Sequence, residues 1–148
     1  MKRNIIYLAC GLVITLLFII FNVNVYETAY YAQGFSDQFF NLGLYTPVSL
    51  ITAGVAWMGA AIYYFVINSV RFDRWYHWLL TLAIVTLLAP IVCYALNDYI
   101  FAKNDLMYIT ESINFELVNL AITAILFIVA SFSMRWWSSN CRHTPIPQ

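Results

Sequence analysis

Three polar side chains in the last third of the sequence have types and spacing that could bind an ion. Glu116, Asn119 and Thr123 recur at intervals of three and four residues, which places them on one face of a helix. A carboxylate beside an amide in an apolar segment could bind a cation or relay protons. The alternative is that Glu116 lies at the level of water, where it caps or solvates the helix. The spacing leaves both interpretations open.

Other residues with catalytic or metal-binding chemistry are sparse. His77 and His143 have no Cys or Glu at ligand spacing, and the sequence has no glycine-rich phosphate loop and no CxxC motif. The three cysteines, Cys10, Cys93 and Cys141, are predicted to lie at different depths or in a reducing compartment, so no disulfide is expected. We therefore expect no catalytic site, no metal site and no cofactor.

Four long apolar runs make up most of the chain. The 148 residues are 63% hydrophobic and 9% charged, whereas soluble domains carry about 25% charged residues. Each run lacks Lys, Arg, Asp and Glu and approaches the roughly 20 residues that a helix needs to cross a bilayer. The first run is longer than a signal-peptide core, so we interpret it as a retained anchor. The sequence predicts an all-α integral membrane protein with one domain, 1–148, whose spans lie at about 4–23, 47–69, 78–96 and 117–134.

The distribution of charge predicts the orientation of these helices. Six basic residues flank the spans on one side and only Lys103 falls on the other, whereas six of the seven acidic residues follow the opposite distribution. The positive-inside rule then places both termini in the cytoplasm. We expect a multi-pass protein of the inner (plasma) membrane, with segments 24–46 and 97–116 on the periplasmic side. The cytoplasmic tail, 138–148, is predicted to be flexible.

The first of the two outer segments carries an apolar stripe. Tyr31, Phe35, Phe39 and Leu42 recur at helical spacing, with polar residues between them. This stripe indicates either a short helix that lies on the bilayer or caps the bundle, or a docking face for a partner.

Two further features predict where helices begin and bend. Asn104 is predicted to cap a helix that begins at Asp105 and continues into the fourth span. Pro90 lies within the third span, where it removes a backbone donor and is expected to kink the helix.

Small residues follow one face of the second span. Thr52, Ala56 and Ala60 are four residues apart, and Gly54 and Gly59 lie on the same helix. Small residues at this spacing let helices approach closely. The second span is therefore predicted to be a tightly packed element, either within the chain or between chains.

Together these features favour a non-enzymatic function. We interpret the chain as a structural or interaction subunit of a multi-protein inner-membrane assembly, such as a secretion or envelope machine. Its expected partners are membrane lipids and other membrane-protein subunits or further copies of itself, with a periplasmic partner at the outer segments. The formal net charge is zero, so no nucleic acid is expected as a partner, and no small-molecule substrate is evident.

Two other functions stay open on the sequence alone. One is a homo-oligomeric pore or membrane-perturbing effector, lined by the second span or by the face that carries Glu116. The other is an enzyme that acts on lipid, for which Asp73, Arg74 and His77 form the only interfacial cluster.

Overall fold

The computed structural model describes residues 2–146, and all regular elements within that range are helical. The longest helices follow the apolar runs, since a helix satisfies every backbone polar group within one segment where no water is present. In chain order the elements are α1 (Lys2–Ile20), α2 (Asn22–Ala29), α3 (Phe35–Asn41), α4 (Tyr45–Ala61), a π-helix (Ile62–Ile67), a 3₁₀ turn (Val70–Phe72), α5 (Trp75–Lys103), α6 (Ile109–Met134) and a second 3₁₀ turn (Arg135–Trp137).

Four helical stretches are long and apolar enough to cross a membrane, which indicates a multi-pass membrane protein. The prediction of an all-α chain with four such helices is confirmed. The stretches are Arg3–Ile20, Tyr45–Ile67, Trp75–Lys103 and Ile109–Trp137. The predicted outer end of the bundle is the end that holds segments 24–46 and 97–116, and the predicted inner end is the opposite one.

The helix boundaries at residue 104 differ from the prediction. α5 continues through Pro90 to Lys103, seven residues beyond the predicted end of the third span, because nothing after Leu96 interrupts it. Asn104 therefore terminates α5, and its side-chain Nδ2 donates to the carbonyl of Ile100 at 2.8 Å. The prediction that Asn104 caps a helix beginning at Asp105 was wrong. Asp105 has a φ of 55°, which reverses the chain before α6 begins.

α4 and α6 form the centre of the bundle. α6 packs against α1, α4 and α5, and α4 packs against α1, α5 and α6. Two glycines permit the closest approaches: a Cβ atom at Gly11 would overlap the side chain of Ser133, and one at Gly59 would overlap Val85. The bundle therefore holds α1 against α6, and α4 against α5, at backbone distances that larger residues would prevent.

The segment between α1 and α4 folds back over the predicted outer end of the bundle. Gly34 and Gly43 bracket α3 with positive φ angles of 71° and 65°, which only glycine adopts without strain. These turns direct Phe35 and Phe39 into the core, where the rings of Phe39 and Phe115 lie 4.7 Å apart. The result is an aromatic cap over the ends of α4, α5 and α6, which consists of the rings of Tyr26, Phe35, Phe39, Phe101 and Phe115.

The segment after α6 differs from the flexible tail expected from its composition. Asn68 ends the π-helix with a φ of 26°, and its Oδ1 accepts hydrogen bonds from the Ser138 hydroxyl at 2.7 Å and the Asn140 backbone N–H at 3.0 Å. Cys141 and Thr144 are buried. This part of the tail is thus held against the predicted inner end by the hydrogen bonds of Asn68 together with that of Tyr64 to the Thr144 carbonyl, none of which its composition reveals. Residues 147–148 lie outside the described range.

Candidate functional site

Seven polar side chains meet inside the bundle, toward its predicted outer end. They come from four different helices and each is buried. This polar cluster consists of Tyr26 from α2, Thr52 from α4, Cys93 and Asn97 from α5, and Glu116, Asn119 and Thr123 from α6. Polar groups at this depth need partners within the protein, because lipid offers none.

Asn119 lies at the centre of the polar cluster. Its side-chain Oδ1 accepts hydrogen bonds from the Tyr26 hydroxyl at 2.8 Å and from the Thr52 hydroxyl at 2.9 Å. Its Nδ2 donates to Glu116 Oε2 at 2.9 Å. One amide therefore joins α2, α4 and α6, and both of its polar atoms are satisfied.

Tyr26 reaches the polar cluster from outside the four apolar spans. Burial raises the pKa of its phenol far above the usual range. The hydroxyl therefore stays protonated and remains a hydrogen-bond donor to Asn119.

Glu116 carries the formal charge of the polar cluster. Its two carboxylate oxygens accept one N–H each, from Asn97 Nδ2 at 3.0 Å and from Asn119 Nδ2 at 2.9 Å. Both partners are neutral amides, so neither neutralises a carboxylate charge. The single basic residue of segments 24–46 and 97–116 is Lys103, which is exposed at the end of α5. A buried carboxylate without a cationic partner is costly unless a proton or an ion accompanies it.

Asn97 completes the contacts of Glu116 but leaves one of its own atoms unsatisfied. Asn97 is 1% exposed, and its side-chain Oδ1 has no hydrogen-bond partner within residues 2–146. Native proteins rarely leave a buried amide oxygen unpaired, and such an atom points to an ion or water that belongs there. The polar cluster thus contains a carboxylate without a countercharge and an amide oxygen without a donor, both on one pair of side chains.

Cys93 joins the polar cluster more weakly. Its Sγ lies 3.8 Å from the Thr52 hydroxyl and 3.9 Å from the carbonyl oxygen of Val48, in the range of weak sulfur hydrogen bonds. Cys10, Cys93 and Cys141 are all free thiols.

A cavity of about 320 Å³ lies beside the polar cluster at the predicted outer end. We call it the vestibule. Ser112 lines it one helical turn before Glu116, and Asp98, which follows Asn97 directly, lines it from α5. Asp105 contributes a second carboxylate to the same cavity. The vestibule is therefore acidic, and its lining residue Ser112 lies one helical turn before Glu116.

The predicted polar face, Glu116, Asn119 and Thr123, points into the bundle along its whole length. Glu116 is 6% exposed, and Asn119 and Thr123 are fully buried. Thr123 does not join another helix, since its hydroxyl donates to the carbonyl of Asn119 on its own helix at 2.7 Å. Glu116 is therefore buried inside the polar cluster rather than solvated at the level of water.

The small-residue face of the second span is also turned inward. Thr52, Ala56 and Ala60 are fully buried among the helices of this chain. Their packing partners are intramolecular, and Thr52 adds a hydrogen bond to the polar cluster.

The predicted outer docking face is divided between core and surface. Phe35 and Phe39 are buried in the aromatic cap, and Leu42 packs partly against it. Tyr31 is 56% exposed. Only Tyr31 of this stripe therefore remains open to a partner, and the stripe mainly caps the bundle.

Three members of the polar cluster were not among the site residues predicted from sequence. Tyr26 lies outside the predicted spans, and Asn97 lies one residue beyond the predicted end of its span. A signal for Asn97 was present, because Ala89, Cys93 and Asn97 follow each other at intervals of four residues on one helix face. No local pattern marks Tyr26, whose position depends on the turn that separates α1 from α2.

Outside the polar cluster, further hydrogen bonds tie helices together in pairs. Trp57 Nε1 donates to Thr15 Oγ1 at 2.9 Å, and Trp78 Nε1 donates to Ser131 Oγ at 3.1 Å. Asn22 Nδ2 donates to the Ser49 hydroxyl at 3.2 Å. Each of these polar groups has an evident structural partner, so they provide no candidate site of their own.

The chain matches no known protein family, no curated protein and no solved structure. Within the described residues no group of three His, Cys, Asp or Glu side chains is arranged to hold a metal ion. The polar cluster, with its single carboxylate among amides and hydroxyls, is the arrangement best suited to hold a proton or a small cation.

Replacement of Asn119 by alanine is expected to destabilise the bundle by about 2 kcal/mol. The variant removes three inter-residue hydrogen bonds, each of which contributes about 0.6 kcal/mol in a membrane protein. Thr123→Ala is the matched control and should cost less than about 0.6 kcal/mol, since its hydroxyl bonds only its own helix. Unfolding by SDS in mixed micelles measures both values. Equal effects of the two variants would show that Asn119 does not link the helices.

Proposed function

We propose that this chain is a non-enzymatic interaction subunit of a multi-protein inner-membrane assembly, in which its lipid-facing surface packs against a transmembrane helix of a partner. The polar side chains described above are used for links within the chain. What remains on the outside of the bundle is therefore an apolar surface, and its shape carries the proposal.

Gly54 is the observation that supports this function most directly. A Cβ atom built on Gly54 would meet nothing within 4 Å, in contrast to Gly11 and Gly59, where internal packing leaves no room. Glycine within a helix costs about 0.5–1 kcal/mol relative to alanine, and no contact inside this chain requires that cost at Gly54. Small residues on a lipid-facing surface allow the backbone of a neighbouring helix to approach.

An apolar groove begins near Gly54, at Val55 and Met58, and lies toward the predicted inner end. Its volume is about 290 Å³, and α4 and α5 form its walls through Met58, Gly59, Ile84 and Leu88, among others. Met58 lies one turn after Gly54 on the same helix face and is 64% exposed. A helix that packed on Gly54 would extend along this groove.

The alternative function, a homo-oligomeric pore, has less support. Its lining was expected from the second span or from the face that carries Glu116. Thr52, Asn119 and Thr123, which would supply the polar lining, are fully buried within a single chain. The exposed apolar side chains at the predicted outer end, which are available to a periplasmic partner, include Tyr31, Phe40, Tyr99 and Met107.

Gly54→Leu is expected to dissociate the assembly without unfolding the chain. The leucine fills the space that the partner helix needs, while its Cβ atom meets nothing in the bundle and the helix gains about 0.5–1 kcal/mol of stability. Native electrophoresis of membranes solubilised in mild detergent should show the wild-type chain in a complex and the variant as a monomer.

Ala121→Leu, at an exposed position of α6, is the matched control and should keep the complex. A monomeric wild-type chain would contradict the proposal, and a complex made only of copies of this chain would favour the homo-oligomer.

We further propose that both termini face the cytoplasm, because six of the seven basic residues lie at the predicted inner end. Met107 is 88% exposed in the loop between α5 and α6, and Ser139 lies in the tail. A cysteine placed at Met107 should react with a membrane-impermeant maleimide added to spheroplasts, and one placed at Ser139 should react only after lysis. The reverse pattern would invert the orientation.

A further inference from the structure

We infer that Glu116 and Asn97 form a binding site for a monovalent metal cation, which enters from the vestibule at the predicted outer end. This inference concerns the interior of the bundle and is independent of the proposed interaction function. It rests on the pairing of an uncompensated carboxylate with an unsatisfied amide oxygen.

The chemistry of the available ligands selects a hard cation. The oxygens of the Glu116 carboxylate and of the Asn97 amide are the donor type that such ions prefer. Both residues are more than nine-tenths buried, so water competes little for an ion held between them. The sulfur of Cys93 makes its hydrogen bonds with Thr52 and Val48 rather than with either residue of this pair.

The charge of the site selects a monovalent ion. Glu116 is the only carboxylate in the polar cluster, and its hydrogen-bond partners are neutral. One monovalent cation would cancel its charge, whereas a divalent cation would leave a net positive charge buried among apolar residues. Divalent sites in proteins normally combine several carboxylates, and no trio of His, Cys, Asp or Glu occurs among residues 2–146.

A small movement of one side chain would create the bound state. At present Asn97 directs its Nδ2 to Glu116 Oε1, at 3.0 Å, and its Oδ1 has no partner. Rotation of the Asn97 amide exchanges the two atoms, so that Oδ1 faces the carboxylate with the cation between them, while Nδ2 gives up its bond to Glu116 and turns to the place that Oδ1 now occupies. Asn119 holds the other carboxylate oxygen in place, since its own amide is fixed by Tyr26 and Thr52.

The surroundings favour the entry of cations. The vestibule is lined by Asp98 and Asp105, and by Ser112 one helical turn before Glu116. Segments 24–46 and 97–116 together hold six acidic residues and one lysine, which concentrates cations at this end of the bundle. Ser112 lies between the vestibule and Glu116 on the inward face of α6 and offers a hydroxyl along the path.

Sodium is the probe for this site. The full-length protein in mild-detergent micelles is unfolded thermally at mildly alkaline pH, where protons compete least, while NaCl replaces choline chloride at constant ionic strength. We expect a saturable rise in the unfolding midpoint of about 3–6 °C when sodium reaches roughly ten times its dissociation constant. Equilibrium dialysis with radioactive sodium should give one ion per chain.

Variants assign the effect to the named residues. Glu116→Gln should abolish the sodium-dependent shift and Asn97→Ala should reduce it at least tenfold in apparent affinity. Glu111→Gln is the matched control, because it makes the same chemical change at a half-exposed position of the same helix; it should keep the full response.

Two results would overturn the inference. One is a wild-type midpoint that responds equally to sodium, potassium, lithium and choline, which would leave a proton as the companion of Glu116. The other is a sodium response that survives in Glu116→Gln. Should Glu116→Gln fail to fold, the wild-type comparison of sodium with choline and the Asn97→Ala variant still decide the question.

Discussion

The bundle depends on the hydrogen bonds of one buried amide, that of Asn119. Hydrophobic burial drives the packing of a soluble core, but lipid is as apolar as leucine, so helices in a bilayer gain little from it. Packing of small residues and inter-helix hydrogen bonds must then determine which faces meet. Asn119 accepts from Tyr26 and Thr52 and donates to Glu116. Elsewhere in the bundle, the glycines at positions 11 and 59 let α1 approach α6 and α4 approach α5.

The aromatic cap and the polar cluster support each other. Tyr26 belongs to both, since its hydroxyl binds Asn119 while its ring lies 4.9 Å from that of Phe115. Phe35 and Phe39 cover the polar cluster from the predicted outer side, which keeps water away from most of it and strengthens its hydrogen bonds. The vestibule is lined by Ser112, one helical turn before Glu116, which is the charged residue of the polar cluster.

The four apolar helices could be predicted from the sequence because each residue contributes to the transfer of its helix into lipid almost independently. The inward face of α6 was also predictable, since Glu116, Asn119 and Thr123 share a helical period. The residues of other helices that meet this face could not be predicted. Tyr26 reaches it through the turn before α2. Asn97 lies on a recognisable face of α5, but which helix that face meets depends on long-range packing. In the same way the stripe with Phe35 and Phe39 was visible, but whether it covers this bundle or a partner depends on Gly34 and Gly43 turning it inward.

A double-mutant cycle between Thr52 and Asn119 tests the central claim most directly. Thr52→Val and Asn119→Ala each remove one partner of the 2.9 Å hydrogen bond that joins α4 to α6, and the double variant removes both. If the amide links the helices, the free energies of unfolding in SDS titrations should be non-additive, with a coupling of about 0.6 kcal/mol or more. Strict additivity of the two substitutions would contradict the account, because it would mean that these side chains do not interact in the folded bundle.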